Sequence, residues 1–505
     1  MNKQNDRGGN FLISSALKML GSQYCLSIFN IFCFIYLLRV LSRVEIAVLA
    51  VFEILTSLYA FSELGIYGVM IKLSPSGLKA NGDRNKALGL IKLTFYVQGF
   101  FLLCLVGTTL YFAIFISQQF LKTDDYAWAI MIIAPGSALT ALFTTLRGVA
   151  QVSEEYSLIA RWLFLAGVLK QSIAISCYLT YGFYGYVIGL TIASIIPVIG
   201  MGISIRKLLF NSTSPAPFWE TFIYGIPLYA RSFMRYGFKE LDQTLIGFLS
   251  NPGVLATYSV ARRFINYLNQ IIEFFSTPIL VRSLSLIDEP LTYIQNFARE
   301  TMRYLFFLLI PVCICVALAS PWLMAVYGGE KYFSGWPILS LMAIGQIIYA
   351  LCTMLSIYVF ALKPPKSILI LDGAIGLCNY LFSPLFIILI GVYGVIFGQM
   401  VGFIIGIFIA TYILRPTHNI HIHWSELSIL TLPLSLAVLV VISGMYAYFN
   451  LWLIPLYFLI AGLVFIVTLG NQLDDTDWKH LRALVPNKLN PIIEYLYHKR
   501  RNQTL

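Results

Sequence analysis

FWETFIYGIPLYARSFMRYGFKELDQTLIGFLS, residues 218–250, is long and apolar enough to cross a bilayer, which takes about 20 mostly apolar residues, yet it carries Arg231, Arg235, Lys239, Glu240 and Asp242. On a helix Arg231, Arg235 and Lys239 recur at i, i+4 and i+8, so three cations share one face over roughly 12 Å. Like charges at that spacing repel, and hydrocarbon offers no water to screen them. Lys239 has Asp242 three residues on as a partner, whereas Arg231 and Arg235 have no acid at i±3 or i±4. Their counter-charge must come from elsewhere. Pro227, with Gly225 beside it, predicts a bend near the start of the stretch.

The rest of the chain has the same apolar character. With 505 residues, 59% of them apolar and 11% charged, and a mean hydropathy of +0.80, it is not a soluble globular protein. Runs of crossing length fall near 12–37, 45–71, 87–116, 126–150, 157–180, 183–205, 218–249, 253–281, 303–327, 334–362, 367–390, 393–414, 427–449 and 451–470. That makes about 14 helices in an all-α, polytopic membrane protein. The connections are short, and no extramembrane domain is large enough to house chemistry, so an enzyme is not expected. The first span is too long for a signal sequence and has no small-residue cleavage site, so it reads as retained. The eight cysteines lie inside apolar spans, and His418, His421 and His423 give only a weak HxH pattern; no metal or cofactor is implied. The formal charge of +11 is mainly topology. Lysine and arginine crowd one set of connections and leave Arg39, Arg43, Lys122 and Lys331 on the other, which places both termini in the cytoplasm. Nucleic acid is not needed to explain the charge.

An internal repeat organises these spans. Shifting residue 134 onto 343 aligns Ala134, Gly136, Ala141, Leu142, Thr144 and Leu146 with Ala343, Gly345, Ala350, Leu351, Thr353 and Leu355. In the same register Gly182-x-Tyr184-Gly185-x-x-x-Gly189 falls on Gly391-x-Tyr393-Gly394-x-x-x-Gly398, and Arg206 falls on Arg415. The shift covers an even number of helices, so the copies share an orientation and a pseudo-two-fold axis along the membrane normal should relate them. The expected division is a cytoplasmic tail at 1–10, a six-helix lobe at 11–210, a polar linker at 211–217, a second six-helix lobe at 218–416, an extra helix pair at 417–470 and a cytoplasmic tail at 471–505. The last segment ends PIIEYLYHKRR, which fits either an interfacial helix on anionic lipid or a solvated tail.

Charges inside the spans are the candidate site. The cations are Lys170, Arg231, Arg235, Lys239, Arg262 and Arg263, and the acids Glu53, Glu63, Glu240, Asp242 and Glu273. The two sets nearly balance, so some members pair with each other. In the repeat register Glu53 falls on Arg262, which predicts a contact between Glu53 and Arg262 or Arg263, serving as a gate or as a structural bridge. A guanidinium holds phosphate oxygens bidentately and stays charged in a low dielectric. Arg231, Arg235, Arg262 and Lys170 are therefore candidates for a phosphate-bearing solute, and Glu53, Arg263, Asp242 and Glu273 for a gate or for ion coupling. Asn266, Asn269 and Gln270 continue the eighth span beside them.

Four segments carry a family resemblance. LSNPGVLATYSVARRF at 249–264, YGGEKYFSGWPILSLMAIGQIIYAL at 327–351, YGFYGYVIG at 181–189 and IGVYGVIFG at 390–398 resemble the multidrug/oligosaccharidyl-lipid/polysaccharide exporter superfamily. Within it the chain looks most like the polysaccharide-export branch, the O-antigen and capsule repeat-unit flippases. That resemblance implies an undecaprenyl-diphosphate-linked oligosaccharide moved across the bacterial inner membrane by alternating access, with Arg231, Arg235 and Arg262 attracting the diphosphate. It also implies membrane lipid, a polysaccharide polymerase and chain-length machinery as partners. The rival readings are a cation-coupled drug antiporter, with Glu53, Glu63 and Glu273 as ion sites, and a peptidoglycan-precursor flippase.

Overall fold

A computed structural model describes residues 25–78, 83–153, 155–209, 213–285, 290–418 and 420. The expected helix pair, both tails, His421, His423 and the start of the first span lie outside them. The described residues are helical almost throughout. In chain order they form α1 (Cys25–Val40), α2 (Arg43–Tyr59), α3 (Ile66–Leu78), α4 (Arg84–Tyr111), α5 (Ala113–Leu121), α6 (Ala127–Val152), α7 (Tyr156–Ser204), α8 (Arg206–Leu209) and α9 (Phe218–Lys239). Then come α10 (Leu241–Leu249), α11 (Pro252–Ser285), α12 (Leu291–Gly328), α13 (Trp336–Leu362), α14 (Pro365–Ile390) and α15 (Val392–His418). Among the described residues, seven helices have the length and composition to cross a membrane. The chain is an integral membrane protein of the all-helical class.

Two compact units are present. One contains the described residues up to Tyr267 together with Tyr327–Ile338 and Pro364–Gly406; the other contains Leu268–Val326, Leu339–Lys363 and those from Ile407. In the first unit Met70, Leu88, Ile91, Leu146, Val149 and Met201 form a buried cluster shared by α3, α4, α6 and α7. In the second, Leu309, Cys313, Met354 and Leu355 are buried, and Thr301 and Tyr358 join α12 to α13 through their hydroxyls. Lipid tails are as apolar as these side chains, so such helices cohere by close packing more than by escape from water.

The glycine repeat has a backbone counterpart. Gly182 interrupts α7 at φ 62, ψ −148, and Gly391 separates α14 from α15 at φ 64, ψ −146, a region that only glycine occupies without strain. A Cβ on Gly185 would strike the Cys177 carbonyl, and one on Gly394 the Phe386 carbonyl. Cys177 and Phe386 are themselves matched by the repeat register. The two turns are one structure made twice.

Two spans are broken where the sequence predicted continuity. The 45–71 span gives α2, a 3-10 turn over Ala60–Glu63 and α3, with Leu64 in the left-handed region at φ 48 and Gly65 at φ 78. A Cβ on Gly65 would lie 2.5 Å from the Gly225 carbonyl oxygen, so α3 and α9 touch backbone to backbone. The 218–250 stretch runs as one helix through Pro227 and breaks at Glu240 (φ −131, ψ −15), which separates α9 from α10. A buried arginine occupies that break.

Candidate anion site

α11 begins after Asn251, whose Oδ1 accepts from Val254 N at 2.9 Å and so fixes the first turn. Ten residues on, it presents Arg262 and Arg263 in succession. Consecutive helical residues point about 100° apart, so the two guanidinium groups leave the helix toward different neighbours.

Arg262 turns to the α9–α10 break. Its Nη1 donates to Asp242 Oδ1 and its Nη2 to the Lys239 carbonyl oxygen. Nη2 also meets Glu240 Oε2 at 2.9 Å. Tyr258 OH donates to the other Asp242 oxygen at 2.5 Å, and Gln243 N donates to Asp242 Oδ1 at 2.8 Å. The guanidinium therefore satisfies an orphaned carbonyl at the C-terminus of α9, and a cation there also complements the negative end of the helix dipole. The partner foreseen for Lys239, Asp242, is committed to Arg262 and Tyr258.

Arg263 turns to α2. Its Nη2 lies 2.5 Å from Glu53 Oε1, and its guanidinium carbon sits 4.0 Å from the centre of the Phe34 ring. The expected Glu53 contact is thus made by Arg263, the neighbour of the residue that aligns with Glu53 in the repeat. From α7, Lys170 Nζ lies 4.4 Å from the centre of the Phe52 ring of α2. Glu53, Arg263 and Lys170 line one cavity of about 310 Å³. Asn30, Gln171 and Asn266 add amides to its wall, and Phe34, Phe52, Tyr186 and Tyr267 add rings. The buried Asn30 Oδ1 and Gln171 Oε1 make no hydrogen bond. Two cations against one carboxylate suit an anion, the uncommitted amide oxygens suit hydroxyl donors carried by the same solute, and aromatic faces hold the cations in place.

The remaining candidates do not line this cavity. Arg231 Nε bonds Asp372 Oδ2 of α14 at 2.7 Å, so the counter-charge its own helix lacks comes from a residue far along the chain. Asp372 is missing from the intramembrane acids read off the sequence, although its position inside the apolar span 367–390 was the signal. Arg235, one turn on, is exposed, and among the described residues no carboxylate comes within ion-pair distance of it. Arg262 does not line the cavity, because its guanidinium is occupied at the helix break. Glu273 is exposed on α11, in the second unit. Glu63 closes the 3-10 turn. Among the described residues no His, Cys, Asp or Glu cluster has the grouping of a metal site.

This arrangement sits in a fold already known. The chain resembles the lipid II flippase MurJ in an inward closed conformation, with a TM-score of 0.70 at 16% identity over 90% of this chain and 98% of that one. It also resembles a multidrug resistance MATE family transporter of the MOP superfamily in its inward-facing conformation, with a TM-score of 0.61 at 13% identity over 80% of this chain and 99% of that one. No curated protein is matched by sequence. Residues 36–337 match the model of a family described as polysaccharide biosynthesis protein. With more than half of its length matched, the chain belongs to the polysaccharide biosynthesis protein family, and its fold is the one shared by MurJ and the MATE transporters.

Proposed function

We propose that this protein flips an undecaprenyl-diphosphate-linked oligosaccharide repeat unit across the cytoplasmic membrane by alternating access, for synthesis of an O-antigen, capsule or exopolysaccharide. One observation carries the reading: Lys170 and Arg263 face a membrane cavity that holds a single carboxylate, Glu53. An intramembrane cation without its own counter-charge calls for an anion. A diphosphate supplies acceptors for the ammonium of Lys170 and for the guanidinium edge that Glu53 leaves open. The polyprenyl tail remains in hydrocarbon while the sugars follow the headgroup through the cavity, where amides and rings offer hydrogen bonds and stacking. In this reading the lobes at 11–210 and 218–416 are the moving bodies, both termini are cytoplasmic, and the polymerase and chain-length machinery take up the product.

A cation-coupled drug antiporter requires acids to dominate the cavity, and here cations outnumber them two to one. A peptidoglycan-precursor flippase would present the same diphosphate on a different sugar. Complementation separates the three. The gene is expected to restore export in a strain lacking its repeat-unit flippase, and not to replace a peptidoglycan-precursor flippase. A Lys170→Gln/Arg263→Gln double variant should insert normally and fail to export. Unimpaired export by that variant refutes the anion reading, and drug resistance without polysaccharide export transfers the protein to the antiporters.

A further inference from the structure

Glu53 is an acid placed where the proposed cargo's charge would sit. It lies 2.5 Å from Arg263, within electrostatic reach of Lys170, on the wall of the same cavity. The pair is open to that cavity, with side-chain exposures of 22% for Arg263 and 33% for Glu53. The fastening Arg262–Asp242 pair is more sealed, at 11% and 5%, although the Glu240 arm of the same cluster stands at 36%. We infer that Glu53 is a stand-in anion: it neutralises Arg263 in the empty cavity, is displaced when a diphosphate enters, and returns to Arg263 to drive the diphosphate out.

This inference rests on the anion reading above and adds a direction to it. A site of Lys170 and Arg263 without Glu53 would bind a diphosphate more tightly and release it more slowly, because nothing would compete for the guanidinium and no like charge would oppose the ligand. Binding energy spent on the resting complex slows a carrier that must let go on the far side. Removing a true counter-charge therefore has opposite effects on affinity and turnover, whereas loss of a purely structural bridge lowers both.

The test is calorimetric binding of inorganic pyrophosphate to the full chain in nanodiscs, paired with export in the complemented strain. Glu53→Gln is expected to lower the pyrophosphate Kd about ten-fold, equivalent to about 1.4 kcal/mol, while export falls. Lys170→Gln is expected to raise the Kd. If Lys170→Gln weakens binding and Glu53→Gln leaves it unchanged or weaker, the stand-in role is overturned and the anion site stands. If neither the wild type nor Glu53→Gln binds pyrophosphate, the anion reading itself is overturned, and this inference with it. Should Glu53→Gln fail to fold, Glu53→Asp retracts the carboxylate by one methylene without removing its charge. A smaller tightening is then expected, and an unchanged Kd overturns the role.

Discussion

Arg262 and Arg263 are neighbours in the chain and opposites in the structure. The first is enclosed by two carboxylates, a backbone carbonyl and the tyrosine that shares Asp242. The second has one carboxylate and an aromatic face, beside an unsealed cavity with another cation on its wall. A guanidinium has five donors in a fixed fork. Where the protein occupies them the group is a fastener, and where donors remain free it is a receptor. Counting acceptors, rather than counting charges, separates architecture from site.

The largest effect should come from breaking the enclosed cluster. Arg262→Gln strands Asp242 and Glu240 beside a helix end, and removing one partner from a buried ion cluster costs about 3–5 kcal/mol. Thermal unfolding in detergent, followed by the monodisperse fraction, should show a protein that barely survives extraction. An Arg262→Gln variant as stable as the wild type would erase the contrast.

Single substitutions at the cavity should act the other way round. Lys170→Gln or Arg263→Gln removes charge-assisted contacts worth about 1.5–3 kcal/mol to a bound anion, so export should fall about 10- to 100-fold. The melting temperature should stay near that of the wild type, since the lost pair faces the cavity. Loss of fold together with loss of export would mean that this region, too, is architecture.

The Arg231–Asp372 pair sharpens the comparison from between, with side-chain exposures of 27% and 8%. A double-mutant cycle with Arg231→Gln and Asp372→Asn should give a coupling of about 1–2 kcal/mol in thermal stability. That is below the cost of opening the Arg262 cluster. A coupling near zero would class the pair with exposed surface bridges, and would leave α9 held to α14 mainly by close contacts such as Gly376 against Met234.

Much of the fold was legible before any coordinates. Composition and run length state that the chain lives in a membrane as helices, and the recurrence of GxYGxxxG predicts a repeat that Gly182 and Gly391 display as the same turn. The intramembrane cations were legible too, because a charge in an apolar run is conspicuous in one dimension. The breaks at Leu64 and Glu240 were not. Gly65 marks the first break only as one glycine among many, and its backbone lies against Gly225 of another helix; Glu240 is no helix breaker by type, and Arg262 from another helix takes up the carbonyl that its break frees.

By itself, then, the sequence determined the solvent, the helical class, the repeat and the identity of the charged groups, since each depends on residue type and spacing along a single helix. Only the tertiary structure decided which charge meets which. Glu53 meets Arg263 rather than Arg262, and Asp372 reaches Arg231 from a distant helix. A step of one residue turns a side chain by about 100°, so helix rotation and packing, which no local pattern encodes, choose the guanidinium that is sealed and the one left facing the cavity.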